Sequence, residues 1–304
     1  MARGAFYRVG LKTVVGLIAG LGALILGVLC LTLRDMGSFS RRKVDFPFPP
    51  QIDAAIAEAQ ERLKVNSQDI ASLVELGTLH FEKGKDFYPD AINDLEEARE
   101  LGALDPRLFY CLGIMYQEMG LYPFALEEYR RYLRHYPNDK EIRMLLAKLL
   151  YKQGHFPEAV GEYERLKFHF PNDPLIEENL GLSLWGAKAT PRAVESFNTL
   201  KAMGGEESRR AEFYLGVISS EQKNHKEALE HLLRCQLPGG ALPHGIEPEK
   251  FYAGMATAYQ KTGDILAAKD SWEKVLNLTP GDVKAKVSLK EINRILSRKK
   301  ARKK

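Results

Sequence analysis

The chain has 304 residues, of which 45% are hydrophobic and 28% charged, which is ordinary for folded protein. Its net charge of +4 is supplied by the last seven residues, which carry six positive charges, so the rest of the chain sums to −2. That balance argues against a general nucleic-acid-binding protein. Three cysteines in separate parts of the chain argue against a disulfide framework.

Residues 13–33 are a run of 21 uncharged residues between Lys12 and Arg34. A helix of this length spans the roughly 30 Å hydrocarbon layer of a bilayer. A cleaved signal peptide would have a shorter apolar region and a small-x-small cleavage site, and a lipoprotein signal would need a small residue before Cys30, which follows Leu29. We therefore expect an uncleaved single-pass transmembrane helix, with residues 1–12 as its basic flank.

Gly16 and Gly20 give this run a GxxxG pattern, which lets two membrane helices approach closely and could support a homodimer. The alternative is that Gly and Ala are simply common in membrane helices. Basic residues flank both ends, so charge does not fix the orientation in the cell membrane. A large domain after a first span favours the exported, periplasmic side, whereas the free thiols and the basic tail favour the opposite side.

Residues 34–50 contain three prolines that disfavour helix, so we interpret them as a linker. Arg41, Arg42 and Lys43 in this linker are close enough to a bilayer to attract anionic headgroups, at about 1 kcal/mol each. The alternative is an ordinary solvated juxtamembrane segment.

The rest of the chain repeats itself. Residues 112–139 recur as residues 146–173, an offset of 34 residues, and a period of this length indicates stacked supersecondary units. Each of six units has a small residue in a first helix, an alanine in a second helix and a large residue four positions later. A small pair of this kind lets the two helices of a hairpin cross closely, so the large residues should be core. These large residues are Leu95, Tyr129, Tyr163, Phe197, Leu232 and Trp272.

The ends of the helices also repeat. A glycine that can adopt positive φ follows the first helix in four units, at Gly84, Gly120, Gly154 and Gly263. Lys188 and Lys223 occupy the equivalent positions in the other two units. Pro137, Pro171 and Pro280 should end second helices.

Together, Leu112, Gly113, Tyr116, Ala125, Tyr129 and Pro137 make this stretch resemble the tetratricopeptide repeat. The resemblance covers about residues 70–296, although the first-helix tryptophan of the pattern is absent. It implies an all-α fold, a right-handed α-solenoid of about six helix hairpins at residues 51–297, and a role in binding proteins. A helix at residues 282–296 should cap the stack.

Two further segments interrupt or follow the repeats. Residues 237–248 are an inserted loop rich in Gly and Pro, either part of a binding face or a passive connection. Residues 298–304 are a basic tail, which could contact anionic lipid or act as a solubilising end. It has no interleaved aromatic residue, so nucleic acid is not the expected partner.

The sequence contains no catalytic constellation and implies no cofactor. His231 and Cys235 are four residues apart on a helix, but no third metal ligand is nearby, and a structural zinc site needs four. An enzyme using the 237–248 loop would have little besides His244 and Glu247 to work with. We expect neither a metal site nor an active site.

In the tetratricopeptide family the inner groove is lined by first-helix positions, and here most of these are apolar or aromatic. The resemblance therefore implies a groove that takes an apolar or amphipathic segment of a partner protein. The predicted groove residues are Val74, Phe81, Tyr110, Ile114, Met144, Tyr151, Leu182, Trp185, Phe213 and Val217. The expected function is a membrane-anchored scaffold for proteins of unknown identity. The alternative is a chaperone-like assembly factor for envelope proteins.

Overall fold

The structure is a computed structural model that describes residues 50–301. By compactness the chain divides into residues 1–53 and residues 54–304. The predicted transmembrane helix, the linker residues before Pro50, the Gly16–Gly20 pair and the Arg41–Lys43 cluster lie outside the described residues. Among the residues that are described, no helix is long and apolar enough to cross a membrane.

Within residues 50–301 every regular element is helical, with fourteen α-helices and two short 3₁₀ turns. The α-helices are α1 (Pro50–Val65), α2 (Ile70–Glu82), α3 (Tyr88–Glu100), α4 (Pro106–Glu118), α5 (Tyr122–His135), α6 (Lys140–Lys152), α7 (Phe156–His169), α8 (Pro174–Gly186), α9 (Thr190–Ala202), α10 (Gly205–Glu221), α11 (His225–Cys235), α12 (Pro248–Thr262), α13 (Ile265–Leu278) and α14 (Val283–Ala301). The 3₁₀ turns are Lys85–Phe87 and Pro238–Gly240.

Helices α2 to α13 form six consecutive hairpins, which we call units 1 to 6, in agreement with the repeat. Within each hairpin the two helices pack closely, because the predicted small residues meet the predicted large ones. A Cβ on Gly113 would lie 2.7 Å from Tyr129 Cε1, and one on Gly181 would lie 2.7 Å from Phe197 Cε1. The six large residues four positions after the alanines are all buried, which confirms their assignment to the core.

The junctions between helices follow from local chemistry. The four predicted glycines have positive φ, and Lys188 (φ 62°) and Lys223 (φ 67°) take the same left-handed conformation without the freedom of glycine. Second helices end at His135, His169 and Leu278, just before the predicted prolines. The next first helix is then capped by an aspartate, as where Asp139 accepts a 2.9 Å hydrogen bond from the Ile142 amide.

The last helix differs from its prediction in length. It runs from Val283 to Ala301 and so includes the first four residues of the predicted basic tail. Ala285 and Ile292 are buried against α12 and α13, with Leu289 and Leu296 partly buried beside them, so α14 covers the end of unit 6 as expected of a cap.

The inserted loop is packed against the stack. Ile246 is buried in a cluster with Phe213, Leu232 and Phe251. The Arg209 guanidinium donates to the backbone carbonyls of Arg234 and Gln236, and the His244 amide donates to the Glu206 carboxylate. The Arg209 bonds fix the end of α11 just before the loop, and the contacts of Ile246 and His244 hold the loop itself against α10 and α12.

Candidate protein-binding cavity

A cavity of about 610 Å³ lies between α8, α10 and α12, which are the first helices of units 4, 5 and 6. Most of its lining is apolar. The lining residues are Leu182, Trp185, Phe213, Tyr214, Gly216, Val217, Ser220, Glu221, Leu232, Gly245, Ile246, Glu247, Lys250, Ala253, Gly254, Thr257 and Lys284. Its volume is within the range of sites that take one or a few apolar side chains or a small ligand.

Two glycines shape this cavity. Gly216 brings α10 close to α11, since a Cβ there would lie 2.9 Å from Leu232 Cγ. Gly254 on α12 leaves the opposite wall without a side chain, and a Cβ at that position would come within 3.3 Å of Leu232 Cδ1. Leu232 is completely buried between them and forms part of the cavity floor.

Polar groups at the rim hold the aromatic residues in place. The Trp185 indole N–H donates a 3.0 Å hydrogen bond to Glu221 Oε2, which fixes the ring between α8 and α10. The Tyr214 hydroxyl donates at 2.7 Å to Glu178, which also accepts from Arg210 at 3.0 Å. Burial, together with Glu178, raises the pKa of Tyr214, so this tyrosine stays neutral at physiological pH.

The inserted loop forms one wall. Gly245, Ile246 and Glu247 line the cavity, and Glu247 pairs with Lys250 at 2.7 Å on the exposed rim. The sequence left open whether this loop is passive or part of a binding face. In the structure it contributes three residues to a mostly apolar cavity.

The structure places the predicted groove residues in several different environments. Leu182, Trp185, Phe213 and Val217 line the cavity. Phe81 and Tyr110 lie in units 1 and 2 within an aromatic cluster described below, whereas Ile114 is partly buried against the main core. Tyr151 is 36% exposed and packs edge-on against Phe156, with ring centres 5.4 Å apart.

Val74 and Met144 belong to the main hydrophobic core, with 2% and 8% of their surface exposed. Val74 also lines a depression together with Asp69, Glu75 and Arg107. Contact of these two residues with a partner stays a prediction.

An aromatic cluster lies at the other end of the stack. Tyr110 is 6.1 Å from Phe81 and 6.1 Å from Tyr132, and Tyr132 is 5.2 Å from Tyr136, between ring centres. Tyr132 and Tyr136 were missed at the sequence level because they belong to the end of a second helix, not to first-helix positions. Their spacing before Pro137 was the available signal.

The buried thiols and the histidine singled out in the sequence can be placed among the described residues. Burial raises the pKa of the Cys111 and Cys235 thiols to about 12, so neither is a reactive thiolate. The His231 Nδ1 lies 2.5 Å from Glu212 Oε2, and no group of three or more potential metal ligands occurs in residues 50–301.

Comparison with known proteins agrees with this fold. Two tetratricopeptide repeat family models match residues 74–140 and 116–178. No curated protein sequence matches the chain. Residues 74–178 are thus similar in sequence to tetratricopeptide repeats, and helical hairpins continue on either side of them.

Solved structures are similar in fold at low identity. A tetratricopeptide repeat-containing protein from Cytophaga hutchinsonii is 18% identical with a TM-score of 0.59, over 79% of this chain and 95% of that one. The structure of Naa15/Naa10 bound to HypK-THB is 16% identical with a TM-score of 0.55. The match covers 80% of this chain but only 37% of the matched chain in that structure. YrrB, a tetratricopeptide repeat protein with an unusual peptide-binding site, is 16% identical with a TM-score of 0.50. The match covers 67% of this chain and 97% of YrrB.

Proposed function

We propose that this chain is a membrane-anchored scaffold that binds an apolar or amphipathic segment of partner proteins in the cavity between α8, α10 and α12. The observation that carries the proposal is the cavity itself, an apolar depression of about 610 Å³ bordered by first helices of three consecutive hairpins. YrrB, which shares the fold, is described as having a peptide-binding site. The expected occupant is an aliphatic or aromatic side chain presented by a peptide or helix.

Loss of cavity-lining side chains tests the binding site. The double variant Trp185→Ala/Val217→Ser removes apolar contacts from the rim while leaving the buried hairpin residues intact. Partner recovery with the full-length, detergent-solubilised chain should fall at least about tenfold, since buried aromatic anchors contribute about 2 kcal/mol or more. Phe168→Ala is the matched control, because Phe168 is an 82% exposed aromatic residue that does not line the cavity. Equal recovery from both variants would contradict the proposal.

The membrane anchor is supported by the 21-residue uncharged run at residues 13–33. Anchoring raises the effective concentration of bound partners at the bilayer, so weak contacts in the cavity suffice. The full-length chain should resist alkaline extraction from membranes, and a chain that begins at Pro50 should not. Protease accessibility in intact cells and in spheroplasts would decide between the exported side, which we propose, and the cytoplasmic side.

Homodimer formation through Gly16 and Gly20 is a separate part of the proposal. Gly16→Ile/Gly20→Ile should abolish crosslinked dimers of the full-length chain if these glycines form a helix contact.

The ratio of partner to chain distinguishes a scaffold from the chaperone-like assembly factor. A scaffold retains partner in a fixed ratio, whereas an assembly factor releases its client on maturation.

A further inference from the structure

The charges of the chain are divided unevenly. Residues before Val283 sum to −5, whereas residues 283–304 sum to +9, with ten basic residues against a single glutamate. Upstream, basic side chains are paired with acids of the neighbouring unit, as between Arg130 and Glu158 at 2.6 Å and between Arg210 and Glu178 at 3.0 Å. No ion pair within residues 50–301 involves the seven basic residues of α14. Its charge is therefore available to an external anion.

The outward ridge of α14 combines these charges with exposed apolar groups. Lys286, Lys290, Arg294 and Arg298 follow one another at four-residue spacing and are all exposed, on the side of the helix away from Ala285 and Ile292. Val283 and Val287 on the same ridge are 74% and 62% exposed. A basic helix face with exposed apolar side chains has the composition of helices that lie in the headgroup region of a bilayer.

We propose that α14 binds the surface of an anionic phospholipid bilayer, with Lys286, Lys290 and Arg294 on the headgroups and Val283 and Val287 toward the acyl chains. Each cation near an acidic surface strengthens binding by about fivefold. Nucleic acid offers the same negative charge, but this ridge has no aromatic side chain on which a base could stack. The two exposed valines favour lipid, because acyl chains offer an apolar environment for them and the phosphates of a nucleic acid do not.

The proposal extends the membrane association of the previous section, and it rests on that association only to bring the chain to a bilayer. Full-length protein is reconstituted into vesicles of phosphatidylcholine alone and of phosphatidylcholine with about one third phosphatidylglycerol. This fraction is chosen so that the surface potential is more negative than the roughly −30 mV of ordinary anionic leaflets. Co-flotation with the neutral vesicles reports on the N-terminal anchor. Backbone hydrogen exchange of residues 283–301 reports on α14, with α12 as the internal reference.

We expect the amides of α14 to exchange at least about fivefold more slowly in the anionic vesicles than in the neutral ones, with the difference lost at 1 M salt. Lys286→Gln/Lys290→Gln/Arg294→Gln should lower the local affinity about a hundredfold and abolish the protection. Lys148→Gln/Lys226→Gln/Lys261→Gln removes the same amount of charge from exposed positions elsewhere. This variant should retain the protection of α14 from exchange. Thermal unfolding of both variants checks that the stack is intact.

Val283→Ser/Val287→Ser separates lipid from nucleic acid. It should weaken protection in anionic vesicles, whereas binding of a single-stranded RNA oligonucleotide would be unaffected by it. Equal exchange of α14 in the two vesicle types, while the chain still floats with both, would overturn this inference and leave the anchor in place. Protection by the oligonucleotide in neutral vesicles without protection by anionic lipid would likewise overturn it in favour of nucleic acid.

Discussion

At the scale of single residues, a hydrogen bond made by the large core residue in units 2 and 6 has no counterpart in unit 3. In unit 2 the buried Tyr129 hydroxyl donates at 3.1 Å to Gln117, and in unit 6 the Trp272 indole N–H donates at 3.4 Å to Gln260, in both cases across twelve residues. Tyr151 occupies the corresponding place in unit 3. The Tyr163 hydroxyl is consequently buried without a partner in the described residues.

Removing the two tyrosine hydroxyls should therefore have opposite consequences. Tyr129→Phe removes the hydrogen bond from the Tyr129 hydroxyl and leaves the Gln117 side chain without this donor. The free energy of unfolding should therefore fall by about 0.5–1.5 kcal/mol. Tyr163→Phe removes a buried hydroxyl that has no hydrogen-bond partner, together with the cost of desolvating it. The free energy of unfolding should therefore stay equal or rise. Urea denaturation of the two variants at constant m-value measures the difference. Equal destabilisation by both would mean that Tyr163 has an unrecognised partner.

At the scale of one element, the close approach of helices within a hairpin depends on glycine in four of six units. In units 3 and 6 alanine occupies that position, at Ala147 and Ala256, and both are completely buried. The large residues of the same two units, Tyr163 and Trp272, are also buried. In unit 4, Phe197 fills the space instead.

Gly181→Ala should consequently be destabilising although alanine favours helix. Its methyl group would come 2.7 Å from Phe197 Cε1 in a fully buried position, and such overpacking costs about 1–3 kcal/mol. Gly161→Ala is the matched control, because no atom lies within 4 Å of a Cβ there, and it should gain up to about 1 kcal/mol from helix propensity. Denaturation midpoints that move in the same direction for both variants would argue against the hairpin contact.

The hairpin of unit 5 should be sensitive to acid. Glu212 is buried, which raises its pKa, but Lys201 Nζ at 2.8 Å and His231 Nδ1 at 2.5 Å from its carboxylate outweigh burial and lower the pKa below its ordinary 4.5. A carboxylate with a depressed folded-state pKa stabilises the protein above the unfolded-state value and loses that contribution as the pH falls through the folded-state value.

Glu212→Gln should accordingly reduce the free energy of unfolding by about 1–3 kcal/mol at pH 7, since hydrogen bonds to a charged group are lost. The difference from the unsubstituted chain should shrink below pH 4.5, where protonation of Glu212 begins to remove the same interaction. Unfolding curves measured from about pH 3 to about pH 7.5 follow this directly. A difference that is independent of pH would show that the carboxylate charge does not stabilise the hairpin.

At the scale of the whole molecule, the hairpins could be predicted from the sequence, but only part of the candidate site could. The repeated small residue, alanine and large residue specify a local contact within each unit, so the repeat pattern alone assigns Tyr129, Phe197 and Trp272 to the core. The helix ends were equally local, because glycine, proline and aspartate act within one turn. The C-terminal helix extends past the predicted tail boundary because its basic residues are also good helix formers.

The cavity could not be predicted in the same way, because it depends on contacts between units. Next to its wall at Gly245–Glu247, the His244 amide donates to Glu206, which is distant from the loop in sequence. Val74 and Met144 are assigned to the groove from their positions in the repeat, and the structure buries both largely in the main hydrophobic core. Sequence periodicity identifies a face of a helix and does not reveal what covers that face.

The measurement that tests the proposed function most directly is site-specific photo-crosslinking in the full-length chain. A benzophenone amino acid at Ser220, which lines the cavity, should give discrete adducts with partner protein, and the yield should fall when Trp185→Ala is added. The same group at Phe168, exposed and outside the cavity, should give none of these adducts. Adducts of equal yield from both positions, or adducts from Phe168 alone, would contradict binding in the cavity.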